Sequence, residues 1–266
     1  MPHARYDAVA DFLAGWTATD DPVTTALLDL LGPVAGTRVL DMACGHGRIA
    51  RELARRGADV VGVDISGNLL TMARESEQAS PSGVRYVRAD LTASGLFAPA
   101  AFDAAACNFG LSDIDDLGSA IAAVSHALKP GGRFVFSVLH PCFAGGKDTA
   151  ASWPATGSYY DEGRWTPRDA RSTLRRQVGA SHRMLSTYLN TLRAHGLWLD
   201  RMAEPLPEPD WDPAHDADRK PLYLVVRTLK LTLTSCDRGQ HLVCDQHSPE
   251  GVAAIGQPPW NVADGE

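Results

Sequence analysis

A doubly wound α/β domain is the fold this sequence predicts, on three observations. Strand-length apolar runs alternate with helical stretches between residues 37 and 139, and a glycine-rich turn joins the first strand to the helix after it. The fifth strand is also apolar along its length, as burial on both faces of a parallel sheet requires.

The elements follow in order. Residues 8–15 and 23–31 carry apolar positions at helical spacing, and Asp20, Asp21 and Pro22 supply a start signal for the second helix. Thr37–Asp41 reads as the first strand, Gly47–Arg56 as a helix, Asp59–Asp64 as a strand, Asn68–Glu75 as a helix and Val84–Ala89 as a strand. Phe102–Cys107, the helix Leu117–Leu128, a Pro130-Gly131-Gly132 turn and the strand Arg133–Leu139 continue the rhythm. It breaks over residues 140–183, rich in Gly and Ser with Trp153, Tyr159, Tyr160 and Trp165, a stretch too long for a simple connector and therefore read as an insertion or lid. The helix Leu185–His195, stopped by Gly196, leads to a strand Leu197–Ala203, a Pro- and Asp-rich loop over 205–221 and a last strand Leu222–Leu229. The domain thus spans 1–230, with N-terminal helices in 1–35, and 231–266 reads as a loosely ordered tail without periodicity.

Composition narrows the function. In 266 residues, 44% are hydrophobic, enough for one sizeable core, and the formal net charge of −7 with no basic run argues against a nucleic-acid partner. Neither a secretory signal nor a membrane-spanning stretch is evident, so a cytoplasmic protein with no membrane partner is expected, its five cysteines free thiols. Cys236, His241, Cys244 and His247 in the tail are zinc-type ligands, but their spacing is irregular and no periodic segment lies between them to fold around an ion, so no metal is expected. A monomer and a homodimer both remain open.

The segment Val39-Leu40-Asp41-Met42-Ala43-Cys44-Gly45-His46-Gly47-Arg48 places its glycines between strand and helix. Glycines there let backbone approach a nucleotide-like ligand and take positive φ. The spacing from Gly45 to Ala50 also fits the dinucleotide pattern G-x-G-x-x-[GA], so a nicotinamide-dependent oxidoreductase is an alternative, although no Tyr-x-x-x-Lys pair is evident for that chemistry. A second alternative is a cofactor-binding relative without catalysis. Asp41, Asp64 and Asp90-Leu91 end the first three strands, so three carboxylates converge on one edge of the sheet. That edge opposes a pyrophosphate and suits a ligand bringing positive charge and hydroxyl donors. Asp41 has a competing reading as a cap on turn or helix amides, and Cys44 and Cys107 read as small packing residues.

VLDMACGHGR, VVGVDIS, YVRADL, FDAAACNFGL and LKPGGRFVFSVLHPCF stand in the order and spacing of class I S-adenosylmethionine-dependent methyltransferases, which the chain resembles over residues 37–143, and through its last helix and strands to about 230. The resemblance implies a Rossmann-like sheet of seven strands, mostly parallel, the last running antiparallel between its neighbours. It further implies that Ala43, Gly45 and Gly47 face the methionine part of S-adenosyl-L-methionine, that Asp64 with Ile65 holds the ribose diol, and that Asp90 and Leu91 frame the adenine. Asn108 and Phe109 fall where donor and acceptor meet, the product being S-adenosyl-L-homocysteine. The acceptor is expected to be a small molecule, by resemblance a secondary metabolite, with oxygen, nitrogen and carbon all open as the methylated atom. A general base assists hydroxyl or ammonium acceptors, and the candidates are His140, after the fifth strand, and His182, before the next helix. Tyr159, Tyr160 and Trp165 in the insertion are candidates for holding the acceptor, and Tyr6, in a segment resembling those that cover the cofactor, for closing the other side.

Overall fold

The computed structural model describes residues 4–15, 17–143, 157–166, 173–206 and 221–231. Trp153 and the Cys236, His241, Cys244, His247 series lie outside them. Seven strands form one sheet: β1 (Arg38–Met42), β2 (Asp59–Asp64), β3 (Arg85–Arg88), β4 (Phe102–Asn108), β5 (Leu128–Leu139), β8 (Leu197–Ala203) and β9 (Tyr223–Lys230). Their order is β3-β2-β1-β4-β5-β9-β8. The first five run parallel, and β9 runs antiparallel between β5 and β8, as the resemblance implied. The chain leaves β1 toward β2 on one side and later returns to β4 on the other, so the switch point of the topology falls between β1 and β4. Ligands of doubly wound sheets bind at that crevice, outside the carboxyl ends of the strands.

Local chemistry explains the helices. Asp21 caps α2 (Pro22–Leu31) by accepting the Thr24 amide at 2.9 Å, with Pro22 preset for the first turn. Ser66 caps α4 (Gly67–Ala79) and Asp116 caps α5 (Leu117–Ala127) in the same way. The helix after the glycine turn, α3 (Arg48–Arg55), differs: Gly47 precedes it at φ +80° with no capping side chain. The N-terminal segment forms a short 3-10 helix over Arg5–Val9 followed by α1 (Ala10–Leu13), tighter than the single helix expected, and Pro130–Gly132 lies inside β5, where pairing with β4 shifts register between Phe102 and Ala104.

Alternate residues of each central strand feed two cores. Val39, Ala104, Ala106 and Val135 pack with Leu27, Leu31, Ile49 and Leu53 of α2 and α3. Leu40, Met42, Phe134 and Phe136 pack on the other face with Ile121 and Val124 of α5 and with Tyr188 and Leu192 of α7 (Leu185–Ala194). Within the insertion, β6 (Gly163–Trp165) and β7 (Ala180–His182) pair antiparallel, with α6 (Thr173–Val178) between them in sequence. This hairpin has no periodic signature in the sequence because three-residue strands are too short to show alternation. Among the described residues, no helix is long and apolar enough to cross a membrane.

Phe136 is fully buried, stacked on Phe134 at 5.5 Å and on Tyr188 at 6.0 Å. Phe136→Ala is expected to cost about 3–5 kcal/mol of unfolding free energy, read as a lowered denaturant midpoint at unchanged slope.

Candidate active site

The tips of β1, β2 and β4 build the site. Asp41 lies one residue before the end of β1, shares the α3 face with Val39 and is 1% exposed. Among the described residues, its Oδ2 has no hydrogen-bond partner. Burial, joined by the charge of nearby Asp64, pushes its pKa up to about 8, against partial relief from the Ala50 amide and from Arg48. The competing reading of Asp41 as a cap therefore holds for part of the carboxyl, since Ala50 lies in the first turn of α3, while one oxygen is left over.

Asp64 ends β2. Its Oδ2 accepts the Gly45 amide and its Oδ1 the Ser66 amide, each at 2.8 Å, which ties the glycine turn to the start of α4. Burial raises its pKa as well, and those amides offset part of the rise. Ile65 follows, half-buried, its carbonyl accepting from Arg88 at 3.1 Å. Asp90, just past β3, turns Oδ1 to the amide and hydroxyl of Thr92 at 2.9 and 2.7 Å, and Leu91 is buried in the α5-side core. Because β1, β2 and β3 are adjacent and parallel, the three aspartates stand at neighbouring tips.

Backbone strain marks the same place. The described non-glycine residues at positive φ are Ala43 at 52°, Ala100 at 51° and Phe109 at 59°, and two of these three belong to the predicted site, beside Gly45 at 55° and Gly47 at 80°. A Cβ on Gly47 would lie 2.2 Å from the Tyr86 hydroxyl, whereas one on Gly45 would meet nothing closer than Leu69 at 3.9 Å. Gly45 is therefore required by its φ and Gly47 by both φ and space.

Phe109 is held by Ser137 of β5, whose Oγ accepts the Phe109 amide at 3.0 Å and donates to Asn108 Oδ1 at 2.6 Å. Sequence reasoning missed Ser137, the one hydroxyl within an apolar strand run, and also missed Gly110. A Cβ there would lie 2.5 Å from Ala43 Cβ and 2.8 Å from Cys107 Sγ, so the β1 and β4 turns touch across the switch point. Cys44 and Cys107 are buried thiols whose pKa values burial raises, so they are packing groups rather than nucleophiles.

Beyond the end of β5, a small cavity is lined by Ser112, Leu139, Pro141, Ala180, Ser181, His182, Arg183 and Tyr188. His182, 1% exposed, turns Nε2 to the Tyr159 carbonyl at 2.8 Å. A carbonyl only accepts, so Nε2 carries the hydrogen in the neutral ring and Nδ1 the lone pair. His140 is placed differently: Nδ1 accepts the Cys142 amide at 3.1 Å and Nε2 faces Glu204 at 3.0 Å, so protein partners take both nitrogens. Burial lowers its pKa, with Glu204 pulling the other way. Tyr159 accepts the Leu185 amide at 3.0 Å and packs edge-on against the His182 ring. Tyr160 is 78% exposed, and Trp165 sits half-buried in β6 opposite Ala180. Tyr6 donates to Asp113 Oδ2 at 2.7 Å, and burial, with that carboxylate adding to it, raises its pKa and keeps it a hydroxyl donor.

The donor set decides what fits. The strand tips bring carboxylates and bare backbone together, while Arg48 turns to Asp21 and Thr24, Arg51 to the His46 carbonyl and Arg88 to the Ile65 carbonyl rather than to the carboxylates. A ligand bringing ammonium, sulfonium and hydroxyl groups satisfies such a pocket; a pyrophosphate does not.

Residues 40–136 match a family model described as a methyltransferase domain. The ubiquinone biosynthesis O-methyltransferase of Xylella fastidiosa is 35% identical over 153 residues, 53% of this chain and 61% of that protein. Its counterpart from Paracidovorax citrulli is 33% identical over 121 residues, and the chain spans 51% of its length, so these curated relatives are matched over half to three-fifths of theirs. The crystal structure of an S-adenosylmethionine-dependent methyltransferase from Mesorhizobium loti superposes with a TM-score of 0.64 at 30% identity, covering 83% of this chain and 99% of that one. The chain belongs to the S-adenosylmethionine-dependent methyltransferase family.

Two outcomes test the site. With Asp41 raised in the folded state, folding takes up a proton between pH 4 and about 8; the group's contribution is full below its ordinary value and is lost as pH rises through about 8. Asp41→Asn removes that loss, so the variant's melting temperature is expected to gain on wild type between pH 5 and pH 8 in ligand-free protein. Gly110→Ala is expected to destabilise by about 1–3 kcal/mol, measured by thermal unfolding, because Ala43 must move to admit the methyl group.

Proposed function

We propose that the protein transfers a methyl group from S-adenosylmethionine to a hydroxyl oxygen of a small molecule. The observation that carries this reading is the buried, partnerless oxygen of Asp41 beside Asp64 under a positive-φ turn. Ala43, Gly45 and Gly47 would take the methionine portion, with Asp41 countering its positive charge; Asp64 and Ile65 would hold the ribose, and Asp90 and Leu91 the adenine. When bound there, the cofactor supplies an already activated methyl group. Asn108 and Phe109, fixed by Ser137, set the wall where the acceptor approaches.

The chain's part in catalysis is then alignment and proton removal. His182, on the cavity and oriented by the Tyr159 carbonyl, is the base we assign to the acceptor hydroxyl. His140, which does not line that cavity, anchors the exit of β5 to Glu204. Tyr159, packed against the His182 ring, and Trp165, opposite Ala180, would line the approach, with the exposed Tyr160 at its mouth. Oxygen as acceptor is supported by the relatives' own names, which place them in ubiquinone biosynthesis and lend no support to a secondary metabolite. Nicotinamide chemistry is disfavoured by the carboxylate-lined pocket.

Titration calorimetry is expected to show binding of S-adenosylmethionine and its homocysteine product and no binding of NAD; the reverse would overturn the reading. Against a panel of phenols with labelled cofactor, His182→Ala is expected to lower turnover by about 10²-fold or more while cofactor affinity stays within about threefold. Asp41→Asn should weaken the cofactor instead.

A further inference from the structure

Three chain-distant side chains meet where the β4 turn faces the two covering segments. Asp113 follows the short 3-10 helix Gly110–Ser112 that leaves the Phe109 wall. Its Oδ2 accepts the Tyr6 hydroxyl at 2.7 Å, and its Oδ1 accepts the Arg175 guanidinium of α6 at 2.5 Å. Arg175 also donates to the Tyr6 oxygen at 3.3 Å and to the Gly179 carbonyl at 3.0 Å. The Arg175 side chain is 7% exposed and that of Asp113 17%, so the ion pair is held away from water.

The surroundings reach both halves of the crevice. On the β2 side, Asp7 accepts from the Ser66 hydroxyl and the Asn68 amide. On the β4 side, Arg5 pairs with Asp115 at 2.8 Å, and Arg164 of β6 reaches the same carboxylate at 3.3 Å. The N-terminal 3-10 helix therefore bridges from the tip of β2 to the tip of β4, across the place the preceding section gives to the cofactor. Arg183, beyond β7, binds the Leu111 and Asp115 carbonyls at 2.8 and 3.0 Å and so docks the end of β7 on the same turn.

We infer that Asp113 is a positioning residue: with one oxygen on Tyr6 and the other on Arg175, it makes the N-terminal segment and residues 173–183 close as a unit over the tips of β1 and β4. The geometry favours coupling over two independent contacts because Arg175 touches the Tyr6 oxygen itself: withdrawing the Arg175 segment takes the charge partner from Asp113, and withdrawing Tyr6 takes a hydrogen bond from both members of the ion pair. The exposed Arg5 and Arg164 pairs with Asp115 contribute little by comparison. This inference rests on the proposed cofactor site only for its consequence: product leaves after both segments release together.

The test is hydrogen exchange on the ligand-free full chain, followed by release of S-adenosylhomocysteine. Tyr6→Phe removes one hydroxyl from a half-buried ring and keeps the fold. It is expected to speed exchange by about threefold to tenfold both in residues 5–10 and in residues 174–182. Asp113→Asn should do at least as much in both, the double variant less than the product of the two, and Lys129→Ala, at the exposed Asp103 pair, nothing in either. Faster exchange confined to residues 5–10 in Tyr6→Phe, whatever the melting temperature, would overturn the coupling. S-adenosylhomocysteine should leave both site variants faster by a similar factor, and release unchanged beside loosened segments would overturn the positioning role. If wild-type protein binds no S-adenosylhomocysteine, the proposed function falls, while the exchange measurement still decides the coupling.

Discussion

A carboxylate taken out of water next to another carboxylate is the constraint from which this structure follows. Asp41 is buried with one oxygen unmatched, and Asp64 beside it makes ionisation still harder. Such a pair is costly in the ligand-free fold and repaid by a ligand that brings positive charge and hydroxyl donors. The cost is sustained because the sheet fixes both residues: β1 and β2 are paired in register along Arg38–Met42, and Asp64 is clamped by two amides.

The turns at the same tips obey a second constraint, close approach of backbone. Ala43 and Phe109 hold left-handed φ values that non-glycine residues seldom adopt, and Gly110 lets their two turns touch. Ser137, one hydroxyl in an otherwise apolar strand, fixes Asn108 and Phe109 against β5. The wall proposed to stand between donor and acceptor is thus tied to the sheet. The segments around it are held through side chains of residues 5–7, 164, 175 and 183 rather than through sheet pairing.

The regular elements were legible because strands of a buried parallel sheet advertise themselves as apolar runs, and helices by caps such as Asp21 and Ser66. The glycine turn and the three aspartates were legible for a related reason: each sits at a strand end, where sequence position already implies spatial position. Where long-range partners decide a role, the reading ran out. His140 and His182 look alike in sequence, yet Glu204 and Cys142 occupy one ring and the Tyr159 carbonyl orients the other. Asp113 and Arg175 gave no signal, since their partners lie 62 to 169 residues away.

By itself, then, the sequence determined the order of elements, the doubly wound sheet and the acidic, glycine-bent edge at β1 and β2, because local patterning and strand succession encode all three. Tertiary structure alone decided which histidine faces the cavity, how far Asp41 is desolvated, and that two segments from opposite parts of the chain meet on one aspartate. Those properties depend on burial and on contacts between residues distant in the chain, and neither is written in any local stretch of residues.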